Sequence, residues 1–298
     1  MADCQKSPRC YGLLFGLLAL GLLAPVFAPR AYAAEPKGTT SKAARQEAVR
    51  GIPLDRLDAD AKKKASSVIN ADSLFRRMPV ETVDCDPNLY LFLLRSPEVV
   101  VEIWQLMGVT DLKLTRTGPE SFRVVDNAGT TGSVEFLYGD QNTHILYVEG
   151  QYRGPLYPRA ITANCLLVMQ SGYKRRADGS YAITSRLDTF IDVKNVGADL
   201  VAKTFQSVFG RTTDHNFIET AGFIGKLSEA AEENPAGVQR LAAKLTGLDP
   251  KVREQFAQCA ADTGQRAEQR HGAANVRPAA TTEPATSRAP GQAPAMRR

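Results

Sequence analysis

Histidine is scarce in this 298-residue chain, at three copies, and tryptophan occurs once. With His271 in a charged tail, only His144 and His215 remain to act as acid, base or metal ligand near neutral pH. The spacings that catalytic chemistry needs are missing as well. There is no HExxH, no CxxC and no His/Asp cluster at ligand spacing, which argues against a zinc site. No GxSxG elbow presents a serine, and Gly129, Gly132 and Gly139 fall in turns, not in a strand-to-helix phosphate loop. Neither a cofactor nor a metal is expected.

Basic charge is also lacking where a nucleic-acid binder would need it. Of the formal net charge of +5, residues 1–33 carry +2, from Lys6, Arg9 and Arg30 against Asp3. Residues 264–298 carry +4, from six Arg against Glu268 and Glu283, which leaves −1 between. A nucleic-acid footprint requires a basic face on the folded part, so nucleic acid is not an expected partner.

The ends have a composition of their own. Lys6 and Arg9 precede an apolar run from Leu13 to about Ala28, followed by Ala31-Tyr32-Ala33, which reads as a signal peptide spanning 1–33 with cleavage after Ala33. The run falls short of the ~20 residues of a membrane-spanning helix, and no later segment is long and apolar enough to span a bilayer. Export to a periplasm or to the outside is the expected route. Cys4 and Cys10 both precede the apolar run, so the lipidated-cysteine arrangement is absent. Residues 34–71 are charged and poor in large apolar side chains, and read as a flexible spacer with a short helix near Asp58–Ile69. Residues 264–298, rich in Ala, Pro, Thr and Arg, read as a disordered tail.

Between them, 72–263 is long enough for one domain with a substantial core. Met78–Asp84 reads as a strand. Asp86-Pro87 and Ser96-Pro97-Glu98 each read as a helix start, the second helix carrying Val100, Ile103, Trp104 and Met107 on one stripe up to Gly108. Six strands follow: Asp111–Thr117, Phe122–Asp126, Ser133–Tyr138, Thr143–Arg153, Ala160–Tyr173 and Tyr181–Val193. Short turn-rich separators make them an antiparallel meander. Helical spacing returns at Leu200–Val208, ending at Gly210, again from Asp214, again after Asn234-Pro235, and last after Asp249-Pro250. The expected class is α+β: a curved antiparallel sheet of six to seven strands packed on helices, with extra C-terminal helices.

This order, strand, two helices, six strands, helix, resembles the helix-grip fold of the START and polyketide-cyclase-like (SRPBCC) superfamily over roughly Met78–Leu227. The resemblance rests on element order and implies a curved sheet wrapped round a long C-terminal helix, with a hydrophobic ligand between. The expected break at Gly210-Arg211-Thr212-Thr213 departs from that pattern.

Strand 143–153 separates into two faces: His144, Leu146, Val148, Gly150 and Tyr152 toward the core, and Ile145, Tyr147, Glu149, Gln151 and Arg153 toward solvent or a wet cavity. Cys165–Met169 is apolar on both faces, as in a central, doubly covered strand. Glu149, Asp188 and Asp192 are within strand reach of Arg153 and Arg186, and His215 stands at an expected helix start. Trp104, Tyr147, Glu149, Arg153, Asp188 and His215 are the candidate ligand contacts. Cys85, Cys165 and Cys259 survive signal cleavage, and Cys85 with Cys259 is a candidate bridge. Three functions remain open at this point. They are non-catalytic binding of a hydrophobic or amphipathic small molecule, a cyclase- or hydrolase-like enzyme using His215, Glu149 or Asp188, and an envelope scaffold docking through Asn234–Ala261. Oligomeric state is not legible.

Overall fold

The structure, a computed structural model, describes residues 37–71, 73–153, 160–194 and 198–275, the last span without the side chains of 198–211 and 273–275. The expected signal peptide and residues 276–298 of the expected tail lie outside the described residues.

An eight-stranded antiparallel sheet carries the fold, in the order β1 (Leu74–Arg77), β8 (Tyr181–Lys194), β7 (Ile161–Arg175), β6 (Thr143–Tyr152), β5 (Thr130–Gly139), β4 (Ser121–Val125) and β3 (Lys113–Gly118). Strands β3 to β8 form the expected meander. Turn chemistry sets the tightest connection: between β7 and β8, Gly179 takes φ 84° and the Asp178 carboxylate accepts from the Ser180 amide at 2.9 Å. The remaining strand, β2 (Glu81–Asp84), pairs with β8 beside β1. Of the expected strand Met78–Asp84 only Glu81–Asp84 is strand, and β1 lies before it. Pro79, with no amide hydrogen, interrupts the ladder at the edge, where proline is tolerated.

The sheet is covered on both faces. On one side lie α3 (Pro87–Arg95), α4 (Pro97–Leu106), α5 (Ala198–Glu233), α6 (Pro235–Lys244) and α7 (Pro250–Asn275). The helices α3 and α4 open as expected on Asp86-Pro87 and Ser96-Pro97, and the Asp86 side chain accepts from the amides of Asn88 and Leu89. On the other side lie α1 (Lys42–Arg50) and α2 (Ala59–Ile69). Ala44, Ala48, Ala61, Ala65 and Val68 of these two helices pack on Ile145, Tyr147, Leu166, Val168 and Phe190 of the sheet.

Three expectations need correction. Residues 37–71 are no flexible spacer: the short helix expected near Asp58–Ile69 is present as α2, and with α1, which was not expected, its small buried side chains close one side of the sheet. Residues 264–275 belong to α7, where Thr263 and Ala267 are buried and Arg266 and Arg270 form ion pairs with Asp86 and Glu232. The helix Ala198–Glu233 runs unbroken through Gly210. An internal glycine costs a helix only about 1 kcal/mol and removes no hydrogen bond, so a 36-residue helix held on a sheet absorbs it.

Candidate functional site

Strand period decides which side chains meet which helix layer. Along β7, Leu166 and Val168 face α1 and α2, while Cys165, Leu167 and Met169 face the α3–α7 layer, so the expected doubly covered strand is present. On β6 the face with His144, Leu146 and Val148 is the helix-facing one, as read from sequence. The opposite face is not wet throughout: Ile145 and Tyr147 are buried beneath α2, while Glu149, Gln151 and Arg153 beyond it are exposed.

Between the helix-facing surface of the sheet and helices α3, α4 and α5 is a cavity of about 170 Å³. Leu146, Leu167, Met169 and Leu187 form its floor, Leu93 and Val100 one wall, and Phe217, Ala221 and Ile224 of α5 its roof. Among the described lining residues there is no Asp, Glu, Lys, Arg or His. The polar lining consists of Tyr90, Ser185, Thr213, Asn216 and Thr220. The Tyr90 hydroxyl lies 2.8 Å from Ser171 Oγ and 2.9 Å from Ser185 Oγ, a buried three-hydroxyl cluster, and burial holds the Tyr90 phenol above its ordinary range.

The roof helix is fixed at both ends of the cavity by polar contacts. Asp214 accepts from Arg76 Nε at 2.8 Å and from the Gly38 amide at 2.9 Å. One edge of the sheet and the chain before α1 are thereby tied to α5. Ser228 Oγ accepts from the Asp86 amide at 2.9 Å, and the Asp86 carboxylate also takes both Arg266 Nε at 2.7 Å and Arg266 NH2 at 2.9 Å. The start of α3, the end of α5 and the middle of α7 meet at this carboxylate.

None of the six residues proposed from sequence lines the cavity. Trp104 is buried in the helical core against Phe223, with ring centroids 5.5 Å apart. Tyr147, Glu149 and Asp188 point to the opposite face of the sheet, Arg153 is exposed at the end of β6, and His215 is exposed on α5. Tyr147 and Glu149 do meet, the phenol donating to Oε1 at 3.3 Å. Asp188 is a structural anion: Arg77 reaches it from Nε at 2.6 Å and NH2 at 3.1 Å, and Glu47 of α1 takes Arg77 NH1 at 2.9 Å. His215, Glu149 and Asp188 thus converge on no common pocket. His144 is wholly buried, and burial first, then the nearby Arg95 guanidinium, pushes it down to about 4.

The thiols of Cys85, Cys165 and Cys259 are free. Burial pushes Cys85 and Cys165 up to about 12 and Cys259 up to about 11, far from the thiolate that nucleophilic chemistry needs. Cys85 and Cys259 do share the helical core, but as separate thiols. A second concavity of about 1330 Å³ lies between β2, the β7–β8 turn and helices α5 and α7. Six of its twelve Asp, Glu, Lys and Arg side chains form ion pairs, Arg176 with Asp84, Arg266 with Asp86 and Arg270 with Glu232. The apolar residues of α6 and α7 face inward, Val238, Leu245, Val252 and Phe256 all being buried, so Asn234–Ala261 offers no apolar docking patch among the described residues.

Sequence reasoning missed Tyr90 and Asn216. The signal for Asn216 was present: Thr213, Asn216 and Thr220 recur at helical spacing next to the apolar positions Phe217, Ala221 and Ile224, a polar strip on the buried side of a helix.

No family model matches the chain, and no curated protein matches it. Among solved structures it is similar to a conserved protein from Geobacillus kaustophilus at 8% identity and TM-score 0.31, over 48% of this chain and 92% of that one. A protein of unknown function from Staphylococcus aureus matches at 10% and 0.31, over 52% and 93%. The Mll3558 protein from Rhizobium loti matches at 12% and 0.31, over 50% and 98%. Likenesses at this level carry no argument about chemistry, and the helix-grip-like arrangement is read from this chain's own strand order and the helix laid across its sheet.

Proposed function

We propose that this protein is exported through residues 1–33 and binds a hydrophobic or amphipathic small molecule, without catalysis, between the sheet and α5. The observation that carries the reading is the cavity of about 170 Å³, apolar on floor, wall and roof and without an ionisable carboxylate, amine, guanidinium or imidazole among its described lining residues. Sites for apolar ligands have this composition, with a few polar groups that fix orientation. The candidate acids and bases, Glu149, Asp188 and His215, stand apart from it, so the cavity-enzyme alternative lacks the convergence that general acid–base catalysis requires. Export is supported by the composition of residues 1–33.

The test is to express the full gene product in a secreting host, sequence the N-terminus of the exported protein, and record native and denaturing mass spectra. A mature start at Ala34 and a bound mass lost on denaturation are the expected results. Retention in the cytosol would overturn the export reading. Failure of both copurified and added apolar probes to bind would overturn the ligand reading.

A further inference from the structure

What the cavity beneath α5 can select depends on where its polar lining groups spend their hydrogen bonds. Among the described lining residues the polar ones are Tyr90, Ser185, Thr213, Asn216 and Thr220. Two of them end a chain of hydroxyls whose direction is fixed from its far end. The Tyr173 hydroxyl donates to the Gln141 carbonyl at 2.7 Å, and a carbonyl only accepts, so the Tyr173 hydrogen is committed. Ser171, which bonds the same phenol, must therefore donate to it. Tyr90, 2.8 Å from Ser171 Oγ, then donates to Ser171, and Ser185, 2.9 Å from the Tyr90 hydroxyl, donates to Tyr90. The relay runs away from the cavity, from Ser185 through Tyr90, Ser171 and Tyr173 to the backbone of the β5–β6 turn.

The groups on the roof helix are committed as well. The Thr220 hydroxyl donates to the Asn216 carbonyl at 2.7 Å, one turn back on α5, and Thr213 has a partner of its own. Asn216 Nδ2 has no partner, but it carries essentially no accessible surface, so a guest does not reach it. An oxygen or nitrogen brought into this space gives up its water and meets no free hydroxyl hydrogen of Tyr90, Ser185 or Thr220 in return, which costs free energy. A charged group meets no counter-ion, because no Asp, Glu, Lys, Arg or His is among the described lining residues.

Size narrows the guest further. A cavity of about 150 Å³ lined by Leu, Ile and Phe accommodates benzene, so about 170 Å³ suits one small ring or a short branched chain. A lipid acyl chain or a fused polycycle exceeds it.

We infer, resting on the ligand-binding reading above, that the cavity takes a small, wholly apolar molecule of about one ring and discriminates against any guest bearing a hydrogen-bonding group, the relay from Ser185 to Tyr173 being what withholds a donor. This narrows a hydrophobic or amphipathic ligand to an apolar one. Toluene and phenol share one shape and differ by a methyl against a hydroxyl; both are titrated calorimetrically into the full chain, and the four-ring hydrocarbon pyrene is followed by its fluorescence. The expected result is toluene binding at least about tenfold tighter than phenol, and no binding of pyrene. Tyr90→Phe takes away the acceptor of the Ser185 hydrogen and frees it beside the cavity, so in that variant the preference for toluene should fall by roughly threefold to tenfold.

Equal binding of toluene and phenol by the natural chain would overturn the apolar assignment while leaving a ligand site in place. Binding of pyrene as tight as that of toluene would overturn the size limit. Failure of all three would sink the binding reading itself. An unchanged preference in Tyr90→Phe refutes the role of the relay. If Tyr90→Phe does not fold, Ser185→Ala carries the test: the preference for toluene should stay within about twofold of the natural value, because that hydroxyl gives the guest nothing, and a several-fold rise would show that Ser185 bonds phenol and refute the assignment.

Discussion

The two faces of the sheet are built by opposite rules. Under α1 and α2 the surface is filled: alanine-faced helices lie close on Ile145, Leu166, Val168 and Phe190, and the one buried carboxylate there, Asp188, is held by Arg77 and Arg186. Under α5 the same strands leave about 170 Å³ unfilled. Adjacent residues of one strand, Leu167 and Val168, therefore belong to different environments. A core optimised only for stability would have been closed on both sides, since unfilled volume forfeits packing contacts. In the ligand-binding reading proposed above, the α5 side takes the guest and the other side is scaffolding.

That contrast can be broken most forcefully at Asp188. Replacing it by alanine leaves Arg77, 12% exposed at its side chain, without its buried partner and unfastens α1 through Glu47. A loss of about 3–5 kcal/mol is expected in urea unfolding. A loss below about 1 kcal/mol would mean that the outer layer is not held by this pair.

The next effect comes from His144 and appears as pH dependence. Its folded value of about 4 lies below the ordinary 6.5, because burial and Arg95 disfavour the imidazolium. Protons therefore bind the unfolded chain first. The stability is fully present above pH 6.5, declines as pH falls toward about 4 and is flat below it, a loss of about 3 kcal/mol from this residue. Urea unfolding at pH 7 and pH 4 should show that share missing from His144→Leu, and an identical pH dependence in the variant would refute it.

The most direct comparison of the two faces is a pair of enlargements one residue apart. Val168→Phe forces bulk beneath α2 and should destabilise by about 1–3 kcal/mol. Leu167→Phe grows into the cavity and should stay within about 0.5 kcal/mol of the natural chain while abolishing binding of added apolar probes. Equal destabilisation by both, read from thermal melts, would mean that the α5 side has no room. The smallest expected effect is at Glu149. Substitution by Gln on the exposed outer surface should change neither ligand binding nor stability beyond about 0.5 kcal/mol, and weakened ligand binding would return the site to that face.

Much of the architecture was legible because it is written in local signals. Gly179 after Asp178 fixes a hairpin, Asp86-Pro87 and Asn234-Pro235 open helices, and the alternation from His144 to Tyr152 assigns the helix-facing side of β6 correctly. Signals that depend on distant neighbours misled. Ala44, Ala48, Ala61 and Ala65 look too small to anchor a layer until a flat sheet lies beneath them. Arg266 and Arg270 look like tail charge until Asp86 and Glu232 arrive from elsewhere in the chain. Gly264 makes the same point: a Cβ there would come within 2.9 Å of the Ala231 carbonyl, so the residue permits α7 to cross α5, a contact no local pattern announces.

The candidate site was the least legible part. Charged and aromatic residues on alternating strands attract attention as chemistry, yet Glu149, Asp188 and Arg153 serve the outer face or solvent, and His215 points away from the chamber. By itself the sequence determined the strand and helix order, the turns and caps, and the two-faced pattern of the sheet, because these follow from backbone preferences and side-chain period within a few residues. Only the tertiary structure decided that α5 stays whole, that alanine helices close one face, and that an apolar cavity remains between α5 and the sheet. Those outcomes depend on which distant surfaces meet and on how completely they fill the space between them, and neither is a property of any short stretch of chain.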